Sequence, residues 1–227
     1  MNCTGPAPAL AGLELADPLA QNAMPAFSSQ DMLAIVIAGS FAAGLNVYAT
    51  VATLGLLSRA HAFVLPPALH PLASWPVITV ATILFVLELV GDKIPAFDLL
   101  WNALHTFIRV PIAALLSYGA AQHLSPAAQI GAAALGGLIA LASHSGKTAL
   151  RAVVTPSPEP FSNIALSFGE DAAAISLTWF ATKHPIIAGV IALLGVLLVI
   201  WFLRFVMRSL RRLFTRAKAT LETSESG

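Results

Sequence analysis

The sequence predicts an all-α protein: a polytopic membrane helix bundle of about six transmembrane helices. It leaves undecided whether the bundle contains re-entrant segments and whether it is built as an inverted repeat. Three observations predict this class. Hydrophobic residues make up 57% of the 227-residue chain and charged residues 10%, against roughly 25% charged in ordinary soluble domains. The mean hydropathy is +0.81. The apolar runs are also too long and too numerous for the core helices of a soluble protein this small.

The first elements are a span, a loop, a second span and a short helix. Residues 32–57 form an apolar run long enough to cross a bilayer, so we expect one full span there. The second apolar run covers residues 77–90. Residues 97–108 are amphipathic and short, which predicts an interfacial or re-entrant helix. An irregular loop between the two runs is expected from four prolines, Pro66, Pro67, Pro71 and Pro76.

Four more spans and one loop complete the predicted bundle. Residues 110–121 form the third span, with Pro111 in its first turn, where a missing N–H is tolerated. Pro126 begins a fourth span that extends as far as Val154. The prolines of residues 155–160 restrict the residues before them and predict a loop. Residues 163–182 and 185–207 are the fifth and sixth spans.

The chain divides into a membrane domain and two tails. Residues 1–30 contain no Lys or Arg, so they predict a flexible N-terminal tail rather than a signal peptide. Residues 31–207 form the membrane domain, and residues 208–227 form a basic cytoplasmic C-terminal tail. Cys3 is the only cysteine, which excludes an internal disulfide and a cysteine-based zinc site.

The basic residues predict the orientation. A dense basic ending places the C-terminus on the cytoplasmic side, and six spans then place the N-terminus there too. Of the twelve Lys and Arg residues, this orientation leaves only Arg59 and Lys183 outside. Six spans also form two sets of three with opposite orientation, as in an inverted repeat. The sequence supports that repeat only through two pairs, His105 with Arg109 and His144 with Lys147.

Polar side chains recur at helical spacing within the apolar runs, so each group shares one helix face. Because polar and charged groups are costly in hydrocarbon, these faces must turn away from lipid. The four stripes are Asn46, Thr50 and Thr53; Asp98, Asn102, His105 and Arg109; His144, Lys147 and Arg151; and Asn163, Ser167 and Glu170 with Asp171.

The charges of the membrane domain are nearly balanced, which predicts mutual ion pairs. His105 and His144 add groups that titrate near neutral pH. Outside the tails and outer loops the acids are Glu88, Asp92, Asp98, Glu170 and Asp171, and the bases are Lys93, Arg109, Lys147 and Arg151.

Structural interpretations of the same residues stay open. Asn46 and the threonines suit interhelical hydrogen bonding. A second interpretation places Asp92, Lys93 and Arg109 at the level of the lipid headgroups, which long charged side chains reach by snorkelling. A third interpretation places His144, Lys147 and Arg151 at the cytoplasmic end of a helix, where they would bind lipid phosphate.

Motifs for nucleotides, metals and hydrolysis are missing from the sequence. Residues 145–148 resemble the end of a phosphate-binding loop, but Leu141 stands where that loop needs a glycine and no strand precedes it. No His-Glu-x-x-His or Gly-x-Ser-x-Gly pattern occurs. We therefore expect no cofactor, no metal and no nucleic-acid partner.

Several stretches together resemble a family of bacterial multi-span membrane proteins classified as a domain of unknown function. The resemblance covers about residues 35–189 and implies an inner-membrane protein without an established activity. The matching stretches are residues 44–50; residues 88–98 with Trp101, His105 and Arg109; His144, Lys147 and Arg151; and residues 157–163 with Ser167, Glu170 and Asp171.

The leading functional hypothesis is a small transporter or channel-like protein in the lipid bilayer. His105, Arg109, His144, Lys147 and Arg151 would receive a small anionic solute, while the acids pair with them or carry protons. The alternative is a non-transporting scaffold or lipid-interacting factor stabilised by buried ion pairs. A lipid enzyme with a histidine base ranks last, because no nucleophile stands out. The oligomeric state is left open.

Overall fold

The part of the chain that the structure describes is all-α, which confirms the predicted class. The computed structural model describes residues 28–91, 95–154 and 160–225. These residues form a 3-10 helix, Pro67–Ala73, and seven α-helices: α1 Ser29–Leu45, α2 Val47–Arg59, α3 Trp75–Gly91, α4 Pro95–Ala120, α5 Pro126–Val154, α6 Pro160–Lys183 and α7 Pro185–Glu225.

The first apolar run is broken at Asn46, so the single full span predicted for residues 32–57 is wrong. Asn46 has an extended backbone, with φ −151° and ψ 104°, which no helix continues through. Its side-chain carbonyl accepts a hydrogen bond from the backbone N–H of Ala49 at 2.9 Å. Asn46 therefore ends α1 and caps the start of α2, a position that asparagine favours.

Helix α2 runs back beside α1 instead of onward. Asn46 contacts Asp171 in the middle of α6, whereas the carbonyl of Ala62, just beyond α2, accepts a hydrogen bond from Lys183 at the end of α6. Met32, in the first turn of α1, lines the same cavity as Thr182, so α1 starts at that end too. The two helices form a re-entrant hairpin with its tip at Asn46.

The tip of the hairpin lies halfway along the bundle. The carbonyl of Gly44, two residues before the tip, is 3.5 Å from a guanidinium nitrogen of Arg109 on α4. Arg109 is about 16 Å from the Ala120 end of α4 and about 21 Å from its Pro95 end, at about 1.5 Å per residue. The hairpin therefore penetrates to mid-depth and returns.

Residues 95–120 form one continuous helix, α4, with Pro111 inside it. The predicted division into a short helix at residues 97–108 and a span at residues 110–121 is therefore wrong. Proline's fixed φ is compatible with a helix, and its ring removes one backbone hydrogen bond without ending the helix here.

Helix α1 occupies the centre of the bundle and packs against α4, α5, α6 and α7. Small residues make this close packing possible. A Cβ added at Gly44 would lie 2.7 Å from the Ser143 Cβ and 2.9 Å from the Ala140 Cα of α5. On another side, Ala38 and Ala42 pack in a core cluster with small residues of α6 and α7.

The apolar helices are compatible with a membrane protein. Among the described residues, Pro126–Val154 and Pro185–Arg212 are long and apolar enough to cross a bilayer. The bent pair of the 3-10 helix and α3, which meet at 65°, makes a third candidate. Helix α7 also exposes large apolar side chains along its length, including Leu194, Leu198 and Trp201.

The hairpin changes the predicted topology. Gly189 packs against Ala34 and Gly195 against Phe41, so α7 runs in the same direction as α1. The start of α1 and the end of α7 therefore lie at opposite ends of the bundle, whereas six full spans would bring the first and last helix ends to the same side. With residues 32–57 folded as a hairpin, the first half of the chain no longer contains three full spans. The count of three spans in each half, on which the predicted inverted repeat depends, therefore does not hold.

The two predicted tails differ in what the structure describes of them. Most of the predicted N-terminal tail, residues 1–27, lies outside the described residues. At the other end, α7 continues as one helix through the predicted boundary at residue 208 and reaches Glu225. The basic ending is thus an extension of the last apolar helix.

Candidate functional site

Buried charges from four helices meet at the level of the hairpin tip. Helix α3 supplies Glu88, α4 supplies Arg109, α5 supplies Lys147 and Arg151, and α6 supplies Glu170. All five are at most 7% exposed. They form a chain of alternating sign, Arg109, Glu88, Lys147, Glu170 and Arg151, which we call the charge chain.

Glu88 holds the first half of the charge chain. One of its carboxylate oxygens, Oε1, accepts from Nη2 of Arg109 and from Nζ of Lys147, the latter at 3.2 Å. Glu88 and Arg109 are both 0% exposed. Such buried charges are costly unless they are paired and hydrogen-bonded, which explains why sequence-distant helices bring them together.

Glu170 holds the second half. Its Oε2 accepts from Nε and Nη2 of Arg151, at 3.2 and 2.6 Å. The ammonium of Lys147 lies 3.3 Å from the same oxygen. Lys147 is thus shared between the carboxylates of α3 and α6, at the centre of the charge chain.

The broken end of α1 supplies backbone acceptors to the same cations. The last carbonyls of a helix have no partner within it and carry the negative end of its dipole. Lys147 donates to the carbonyl of Leu45 at 3.2 Å, and Arg109 approaches that of Gly44 at 3.5 Å. The hairpin tip is therefore part of the site.

Asn46 joins the tip to the third acid. Its side-chain amide N–H donates to Asp171 at 2.8 Å while its carbonyl caps α2. Both residues are at most 4% exposed. With Asp171 the described site holds three acids and three bases, so it is balanced, as the sequence predicts.

His144 lies at the Arg109 end of the charge chain. Its Nδ1 is 2.9 Å from Nη1 of Arg109, and its Nε2 is 2.8 Å from the hydroxyl of Thr106. A guanidinium only donates, so Nδ1 accepts and Nε2 carries the proton that Thr106 accepts. His144 is accordingly the neutral tautomer. His105, one turn before Arg109, is also buried and meets the Tyr48 ring edge-on at 5.5 Å.

Some polar atoms of the site are left without a hydrogen-bond partner. Within the described residues these include Oε2 of Glu88, Oε1 of Glu170 and the hydroxyl of Ser167, all buried. Buried polar atoms are nearly always paired in native proteins. Two carboxylate oxygens that still lack donors are therefore places where a proton, a water molecule or a solute donor would bind.

The structure describes the side chains of nine of the twelve predicted site residues. Asn46, Glu88, His105, Arg109, His144, Lys147, Arg151, Glu170 and Asp171 are all buried at mid-bundle. Asp92 lies outside the described residues, and so do the side chains of Asp98 and Asn163.

Two structural interpretations from the sequence are wrong for the described residues. Arg109 is buried at mid-depth, so it does not snorkel to a helix end. Lys147 and Arg151 pair with buried carboxylates and His144 bonds Arg109 and Thr106, so none of the three faces an outer surface where lipid phosphate could bind. Interhelical bonding by Asn46 is confirmed.

Sequence reasoning missed two contributors to the site. Thr106 bonds His144, and its position three residues before Arg109 is the signal that could have found it. The backbone carbonyls of α1 carry no side-chain signal, and only the break at Asn46 exposes them. In the described part, no group of three or more His, Cys, Asp and Glu residues is placed to hold a metal ion.

The fold and the site together define a class: an all-helical bundle of apolar helices that encloses a chain of buried charges. The family model of the domain of unknown function DUF4126 matches residues 33–205, about three quarters of the chain. The protein belongs to this family, as its motifs predict. No curated protein and no solved structure matches the chain.

Proposed function

We propose that the protein spans a membrane and moves protons or a small anionic solute through the middle of its bundle. The observation that carries this proposal is the re-entrant hairpin, whose tip meets the charge chain at mid-depth. Transporters build their sites near the bilayer midplane from broken helices, whose free ends contact ions and substrates. Here the carbonyl end of α1 contacts the cationic side chains of Lys147 and Arg109, which belong to the charge chain.

The proposed setting is a lipid bilayer, specifically the bacterial inner membrane. Large exposed apolar side chains on α7, such as Leu194 and Leu198, support the bilayer setting, because water is a poor solvent for such a surface. No nucleic-acid partner, cofactor or enzymatic activity is part of the proposal.

The charge balance couples the solute to a proton. With three acids and three bases in the described site, a bare anion would add an uncompensated charge in a low-dielectric interior. Protonation of Glu88 or Glu170, each of which has an unpartnered oxygen, leaves one positive charge in excess. An anion and a proton would therefore enter together.

Flux through liposomes tests the proposal. Purified protein should carry protons into vesicles that hold a pH-sensitive dye, driven by a pH gradient, because joint entry of an anion and a proton moves no net charge. Glu170→Gln should reduce that flux at least about tenfold, which corresponds to roughly 1.4 kcal/mol. Asp31→Asn makes the same chemical change at the exposed start of α1 and should leave the flux intact. Unchanged flux in Glu170→Gln would remove this acid from the mechanism.

A scaffold that does not transport is the second candidate, and the near-complete burial of the charge chain favours it. A scaffold would use the ion pairs only to hold α3, α5 and α6 together. Wild-type protein would then show no more flux than protein-free vesicles, while Glu170→Gln would still lower the unfolding temperature in detergent.

A further inference from the structure

A separate cavity of about 50 Å³ lies between the two arms of the hairpin. It is lined by both arms of the hairpin, by α4 and α6 and by the segment after α2, and it is partly open to the outside of the bundle. Lining residues from these elements include Val36, Gly39, Leu54, Phe63, Leu116 and Thr178. The charge chain contributes no residue to its lining.

The walls of the cavity are apolar although five hydroxyl residues line it. Each hydroxyl is already bonded to a neighbouring hydroxyl or to a backbone carbonyl, so it offers no free donor to the cavity. The bonds are Ser40 with Ser117, Ser117 with the carbonyl of Ala113, Thr50 with that of Asn46, Thr178 with that of Ala174 and Thr182 with that of Trp179.

The volume of the cavity and the apolar character of its walls together limit which molecules it can bind. The volume would hold about four water molecules at roughly 10–15 Å³ each, but buried water needs two to four polar partners, and apolar cavities stay dry and take small apolar molecules. A helix, about 10 Å across, is too wide to enter.

We propose that this cavity binds a small uncharged, apolar molecule of a few heavy atoms. The occupant would contact both arms of the hairpin and hold them apart, one helical turn from Asn46. This inference does not rest on the transport proposal, because the cavity and the charge chain share no residue.

Gly39 provides a direct way to fill the cavity. A Cβ added there meets no atom within 4 Å, so a larger side chain would extend into open space. Gly131 on α5 is also helical with nothing within 4 Å of an added Cβ, and it does not line the cavity. Gly39→Leu and Gly131→Leu therefore make the same change in helix propensity, and only the first fills the cavity.

Xenon is the probe, because it is apolar and uncharged. We expect the ¹²⁹Xe NMR shift in detergent solution to change with protein concentration for the wild type and for Gly131→Leu, and this dependence to be lost in Gly39→Leu. Equal dependence in all three proteins would overturn the proposal. Gly39→Ala, a smaller filling, should weaken the dependence and covers a failure of Gly39→Leu to fold.

Glu170→Gln separates this inference from the transport proposal. The variant should keep the full xenon response, whatever its effect on proton flux. Loss of the response in Glu170→Gln would show that xenon reports the charge chain and not the cavity, and would overturn the assignment.

Discussion

At the scale of single residues, Lys147 determines how the site is held together. Its ammonium is shared by Glu88 on α3 and Glu170 on α6, and it also donates to the end of α1. Three other helices are thus tied to α5 by one cation. The balance of acids and bases made pairing predictable from the sequence, because ions in apolar helices must gather. The identity of the pairs was not predictable, because it depends on how the helices pack.

Replacing Lys147 should therefore destabilise the protein strongly. Lys147→Met keeps a long apolar side chain but leaves two buried carboxylates short of a cation, a change expected to cost about 3–5 kcal/mol. Unfolding in detergent followed by circular dichroism measures it. The matched control, Lys183→Met, removes an exposed lysine whose ammonium donates to the carbonyl of Ala62, and it should cost less than about 1 kcal/mol. Equal losses would contradict the shared role of Lys147.

At the scale of elements, the break at Asn46 is the feature that the sequence concealed. Asn46 lies inside an uninterrupted apolar run, and length favoured a single span. Asparagine is a frequent cap, yet a lone Asn is also common as interhelical glue, so the residue alone did not decide. The opposite error occurred in α4, where Pro111 was interpreted as a helix start although tertiary packing carries the helix through it.

Two substitutions separate the two roles of Asn46. Asn46→Ser keeps a side-chain oxygen that can cap α2 but loses the amide that donates to Asp171, whereas Asn46→Ala loses both. We expect the free energy of unfolding to fall in the order wild type, Ser, Ala, with the loss of the cap accounting for about 1 kcal/mol. Denaturant titration measures the order. Equal stability of the Ser and Ala variants would show that capping contributes nothing.

At the scale of the whole molecule, the hairpin decides which ends of the chain share a side. The all-helical class followed from composition and the length of the apolar runs, and the starts of α5 and α7 followed from Pro126 and Pro185. The side of the bundle on which each helix begins did not follow. One unrecognised reversal of the chain inverts the assigned direction of every helix before it or after it. The count of six spans behind the predicted sidedness does not stand for this reason, and the sidedness itself stays a prediction.

Cysteine labelling tests the sidedness directly. In a Cys3→Ser background, single cysteines at Gln30 and Ala60 flank the hairpin and a third at Thr215 marks the end of α7. An impermeant maleimide added to sealed vesicles of one orientation should label the first two from the same side and Thr215 from the other. Labelling of Gln30 and Ala60 from opposite sides would restore a single span and refute the hairpin.

The alanines of α1 have a mechanical consequence. Ala34, Ala38 and Ala42 recur every four residues on the face toward α6 and α7, where Ala188 and Ala192 have the same interval. Sliding this helix along its axis by four residues, about 6 Å, with a rotation of about 40°, would place each methyl group where its neighbour had been. Contact along this alanine face is therefore similar in two registers, and other contacts of α1 choose between them, among them Ser40 with Ser117 and Asn46 with Asp171.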